Sequence, residues 1–200
     1  MTPPFTYPHA PQARRHGPRG YADYERYRPW LRDEFAFRCV YCLLREAWGP
    51  VTGVYALDHF VPVVLRPDLA LEYENLRYAC VSCNLIKAAQ RTADPTAVLL
   101  APQVRVTPDG TLRADTVEAG RLIDLLGLNR PRLRELRELW IGIIRLAAAA
   151  DPILYRRLLG FPDDLPNLRR LRPPGGNTRP QGVATSYFVQ RQHGTLPATY

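Results

Sequence analysis

Cys39-Val40-Tyr41-Cys42 and Cys80-Val81-Ser82-Cys83-Asn84-Leu85-Ile86-Lys87, with Leu57-Asp58-His59-Phe60-Val61-Pro62 between them, decide the fold of this chain. Two residues between cysteines let both thiolates turn toward one tetrahedral ion, and two such knuckles close a four-sulfur structural zinc site. The two pairs use all four cysteines of the chain. Disulfides or unrelated buried thiols are the competing reading. Nothing at the N-terminus resembles a secretory signal, however, and a reducing cytosol favours metal over disulfide. The expected zinc ligands are therefore Cys39, Cys42, Cys80 and Cys83. Four-cysteine sites usually leave about 15 to 20 residues between the pairs. Here 37 separate Cys42 from Cys80, so a sizeable segment is looped out, and it carries Asp58 and His59.

Outward from the cysteines, residues 51–57 (VTGVYAL) read as a half-buried strand ending at Asp58-His59,. Residues 60–65 read as a return or as a strand followed by a loop, and residues 81–90 as a short helix on which Asn84 and Lys87 share a face. Strand, strand and helix in that order bring His59 opposite Asn84.

Asp58-His59, then Asn75-Leu76, then CxxCNxxK, with a second CxxC pair upstream, together resemble the HNH endonuclease family in its zinc-bearing branch. The resemblance spans Cys39 to about Arg91. It implies an α+β fold: a ββα-metal finger with a four-cysteine structural zinc site, flanked by an N-terminal helix and a C-terminal helical segment. In that family the histidine matching His59 is the general base, and the residues matching Asp58 and Asn84 hold one divalent cation. The asparagine matching Asn75 braces the loop by hydrogen bonding. This chain departs from the pattern twice. Asn84 stands where the family often has histidine, which makes the metal site all-oxygen. The glycine pair often found after Asp-His is replaced by residues 64–71 (VLRPDLAL).

The same chemistry follows from the residues themselves. Phosphodiester hydrolysis needs an activated water, a cation on the non-bridging oxygen and stabilisation of the leaving oxygen. A neutral imidazole takes a proton from water near pH 7. One carboxylate and one amide oxygen suit a hard ion such as Mg²⁺ or Mn²⁺. Lys87 is the one lysine among 27 basic residues, and it is expected to add charge beside the phosphate. His9, His16 and His193 fall in stretches that read as unfolded, which leaves His59 as the only histidine of the folded region.

Residues 1–20 hold five prolines and three arginines and offer little apolar surface to offset the entropy of ordering, so a disordered tail is expected,. Residues 21–37 have a helical pattern with a break or restart at Pro29, and Trp30, Leu31, Phe35 and Phe37 are expected to pack on the zinc knuckle. Residues 103–115 give a hairpin signal around Thr107-Pro108-Asp109-Gly110. A helix over 116–126 follows, stopped by Gly127. A longer helix is expected to be capped by Asn129, with Leu133, Leu136, Trp140, Ile143 and Ala147 on its apolar face and its arginines mostly off it. Another helix starts at Asp151-Pro152 and ends at Gly160. Residues 173–200 read as a flexible tail in which Tyr187-Phe188-Val189 is a short apolar patch. The expected domain is 21–172, with a core at 39–91 and a helical extension at 116–160 that gives the small finger something to pack on.

The net charge of +8 sits at the ends of the chain. Residues 1–32 hold six arginines against two acids and residues 152–200 seven against two, while the middle is close to balanced. A polyanion partner fits, because basic segments gain affinity by counterion release. Solubility and an arginine-rich composition account for the charge as well. The sequence thus points to a cytoplasmic nuclease acting on DNA, RNA not excluded, with no run of apolar residues long enough to cross a membrane. A catalytically silent zinc ribbon binding nucleic acid or a partner protein is the second reading, and the nuclease subunit of a multi-protein defence system is a third.

Overall fold

The computed structural model describes residues 3–49 and 55–200. Part of the strand expected over 51–57 therefore lies outside the described residues. What is described of it is β1 (Tyr55–His59), which pairs antiparallel with β2 (Leu76–Cys80), so that Tyr55 faces Cys80 and His59 faces Leu76. β2 runs directly into α2 (Val81–Lys87), which packs on both strands. The helix is three residues shorter than residues 81–90 suggest, because Ala88 turns to φ 47°. The result is a mixed helix and small-sheet fold, strand–strand–helix at its centre, but its second strand is 76–80 and not the expected 60–65, which form bends and turns instead.

Upstream, a 3₁₀ turn at Tyr24–Tyr27 leads into α1 (Arg28–Glu34), with Pro29 in its first turn, where a missing N–H costs nothing,. Trp30, Leu31 and Phe35 are buried, but not on the cysteines. They form a cluster with Leu57, Tyr73, Leu76, Tyr78 and Leu168 against the strand pair. Phe37 faces Phe161, Tyr187 and Tyr200. The cysteines belong to a separate cluster to which Ala119, Leu122 and Ile123 and the N-terminal Phe5 and Tyr7 contribute.

Downstream come α3 (Pro95–Val98) and the hairpin of β3 (Val104–Val106) and β4 (Leu112–Ala114). Gly110 closes the hairpin turn at φ 76° with its N–H on Thr107. A Cβ there would lie 2.2 Å from the Arg134 carbonyl oxygen, so the position requires glycine twice over,. α4 (Val117–Leu125) is capped by the Thr116 side chain,. α5 (Pro131–Ala150) differs from expectation at its start: Asn129 does not cap it but pairs with the Leu112 N–H and C=O, holding the hairpin. Its buried face is rotated toward Leu133, Arg137, Ile141, Ile144 and Ala147. Arg137 lies inside because it donates to the carbonyls of Gly110 and Leu128. α6 (Pro152–Leu159) follows as expected, capped by Asp151.

Both ends correct the expectation of free tails. Phe5 and Tyr7 enter the cysteine cluster, and the Tyr7 hydroxyl donates to the Tyr41 carbonyl at 2.6 Å. His16 is fully buried, 2.9 Å from Asp33, so His59 is not the only histidine in the folded region. Residues 17–19 lie against 176–178, with Pro18 bridged to Asn177 and Gly17 N–H on the Asn177 side chain. α7 (Gln181–Ala184) and α8 (Tyr187–Gln192) then bury Gly182 and Val189. Composition hides this because few apolar residues are involved, and they are placed where α1 and the knuckles need covering. Several of the end arginines are engaged within the chain: Arg15 pairs with Asp33, and Arg14 and Arg179 with Glu74.

Candidate active site and metal centre

The four cysteines converge although two come from a turn and two from the β2–α2 junction. Leu43, at φ 61°, folds the Cys39–Leu44 turn back so that Cys39 N–H reaches the Leu44 carbonyl. The Cys83 N–H points at Cys80 Sγ at 3.5 Å, which caps α2 and favours negative charge on the sulfur,. All four residues are buried, and their Sγ atoms lie within 4.8 Å of one another. Tetrahedral Zn–S bonds of about 2.3 Å would set the sulfurs about 3.8 Å apart. Cys42 Sγ and Cys80 Sγ are 3.7 Å apart, far beyond a disulfide bond. The four sulfurs can hold a metal ion such as zinc.

β1 ends by sending Asp58 and His59 to different surroundings, as alternation along a strand requires. His59 is half-buried. Its Nε2 lies 2.9 Å from the Ala70 carbonyl oxygen. A carbonyl only accepts, so Nε2 carries the hydrogen and Nδ1 of the neutral ring is left as the basic nitrogen. Tyr24 meets the imidazole edge to face, with ring centroids 4.9 Å apart. The Ala70 carbonyl is kept in place by Asn75, whose side chain accepts from the Val61 N–H at 2.8 Å and donates to the carbonyls of Val61 and Leu69. Asn75→Ala is expected to cost about 1–3 kcal/mol, since it orphans the Val61 amide, a loss readable by urea denaturation.

Asp58 is 3% exposed. Tyr41 donates to its Oδ2 at 2.5 Å and Lys87 to its Oδ1 at 2.9 Å. Burial, reinforced by the Asp58 carboxylate, pushes the Tyr41 phenol well above its ordinary range, so it stays protonated and donating,. Lys87 also donates to the His59 carbonyl at 2.7 Å and is fully buried. This corrects the expectation that Lys87 stands beside a phosphate: its charge is spent inside the protein, on Asp58. Lys87→Met is expected to destabilise the fold by about 3–5 kcal/mol, because it strands a buried carboxylate. Chemical denaturation of wild type and variant measures the difference. Asn84, on α2, is half-buried one turn before Lys87.

Three side chains here escaped the sequence reading. Tyr41 sits between the first two cysteines, where spacing speaks only of sulfur. Tyr24 approaches from the turn before α1. Arg77, opposite Asp58 in the strand register, pairs with Asp94 at 2.9 Å and lies over the Phe60 ring. None of the three belongs to a periodic or spaced pattern that would single it out. No protein-family profile matches the chain, and a search of curated proteins gives no match.

Proposed function

We propose that this protein is an HNH-type endonuclease that hydrolyses phosphodiester bonds in DNA, with His59 as general base and a structural zinc on Cys39, Cys42, Cys80 and Cys83. The observation that carries the reading is the state of His59. Its Nε2–H is tied to the Ala70 carbonyl, on a loop braced by Asn75, and the basic Nδ1 is left to take a proton from an attacking water,. Such a ring is held in one tautomer and one orientation before substrate arrives, which is what proton abstraction at a defined point needs.

The donor types of Asp58 and Asn84, a carboxylate and an amide oxygen, suit a hard divalent cation. Asp58 accepts two hydrogen bonds, which leaves about two of its roughly four lone-pair positions, and Asn84 adds an amide oxygen. Asp58 and Asn84 would hold Mg²⁺ or Mn²⁺, which supplies charge for the phosphate oxygens when bound. Lys87 holds the Asp58 carboxylate in one rotamer, and Tyr41 fixes its other oxygen. Asn75 and Tyr24 orient His59.

Zinc-loaded protein incubated with supercoiled plasmid and Mg²⁺ or Mn²⁺ is expected to give nicked or linear product, and none with EDTA. Intact plasmid with either ion would overturn the proposal. The burial of Asp58 under Tyr41 and Lys87 favours a second reading, a catalytically silent zinc module that binds nucleic acid or a partner protein. Retention of DNA in a mobility shift without any cleavage is its signature. The DNA and RNA alternatives are separated by running both substrates.

A further inference from the structure

α5 is the longest helix among the described residues, and it has apolar side chains on two faces. Leu133, Ile141 and Ile144 are buried against the body of the protein. On the other side Leu139 and Leu146 are 59% and 71% exposed. They are two turns apart and project in nearly the same direction. Gly142 lies between them, with nothing within 4 Å of the place its Cβ would occupy, so a second backbone can come close. Glu138 and Arg145 are also exposed and also two turns apart, along one flank of this stripe. Neither has a side-chain partner among the described residues.

The geometry points to a second copy of this chain as the occupant, docked antiparallel along α5 about a two-fold axis near Gly142. Glu138 precedes Gly142 by four residues and Arg145 follows it by three. An antiparallel copy therefore sets Glu138 beside the partner's Arg145, and the same pair recurs on the other side of the axis. Leu139 and the partner's Leu146 meet in the same way. In a parallel copy the Glu138 and Arg145 flanks lie on opposite sides of the interface and about 10 Å out of step, so the pair is lost. The face is thus complementary to itself in one orientation only, the hallmark of an isologous interface. One helix face buries less than the roughly 800 Å² per partner of a standard interface, so the dimer is expected to be reversible and concentration-dependent. This inference is independent of the hydrolytic reading.

Sedimentation velocity over a concentration series up to about 100 µM tests it, with circular dichroism to confirm that each variant is folded. Wild type is expected to shift from monomer to dimer. E138R alone and R145E alone each place like charges across the axis and are expected to remain monomeric. An equimolar mixture of the two restores both pairs, and a heterodimer is expected. A wild type that stays monomeric throughout would overturn the proposal. So would single variants that dimerise as well as wild type, or a mixture that fails to associate.

Discussion

His59→Ala is expected to slow DNA cleavage by about two to four orders of magnitude, the usual worth of a positioned general base. Folding and metal content should stay near wild type. The imidazole contributes one hydrogen bond to Ala70 and one edge-to-face contact with Tyr24, and it belongs to neither buried cluster. Loss of that hydrogen bond frees the carbonyl of a half-buried residue, where water replaces the donor. Asp58→Ala should behave differently, because it strands the buried Lys87 ammonium as well as removing the proposed ligand of the divalent ion,. It should lower the denaturation midpoint together with the rate. Plasmid nicking under single-turnover conditions, run beside thermal melts of both variants, separates the two effects. Undiminished nicking by His59→Ala, in a preparation free of contaminating nuclease, would remove His59 from the mechanism and leave the silent zinc module.

Cys80→Ser carries the largest expected effect on the fold. Binding free energy at a structural four-sulfur site is folding free energy, of apparent magnitude about 10–16 kcal/mol for zinc peptides near neutral pH. Cys80 is also the last residue of β2 and the cap of α2, with its sulfur accepting the Cys83 amide. The variant should bind no zinc and lose the strand pair and α2 along with any activity. Elemental analysis of wild type should return about one zinc per chain, and circular dichroism of the variant should show the loss of structure. A well-folded, zinc-free wild type would sink the metal assignment.

Much of the centre of the fold, though not the place of its second strand, was legible because its signals are spacings. Two residues between cysteines, an Asp-His at the end of an alternating run, and Gly110 in a turn each constrain the backbone locally. So do Thr116, Asp151 and Gly127 at helix ends. Signals that depend on distant partners were not legible. Asn129 looks like a helix cap from its neighbours, but Leu112 offers it both a donor and an acceptor. Lys87 looks like a charge held ready for a phosphate until Asp58 and the His59 carbonyl are brought to it by α2 packing on β1. Arg137 is charged at a buried position because two orphan carbonyls converge there. Residues 3–20 were the plainest failure: their composition is that of a disordered tail, yet Phe5, Tyr7 and His16 are each in a place the body leaves open.

The contact between residues 17–19 and 176–178 imposes an order on assembly during synthesis. The Gly17 amide and the Asn177 side chain it reaches are 160 residues apart along the chain. On a ribosome adding about 5–20 residues per second, residues 176–178 emerge well after 17–19, and the contact waits for them. All four cysteines are out once Cys83 has emerged, so the knuckles, β2 and the start of α2 can form while Asp33 still waits for Tyr187, whose amide reaches it. The nascent protein thus passes through a stage in which its four cysteines can already meet while the far side of α1 is bare, and the seam between 17–19 and 176–178 closes later.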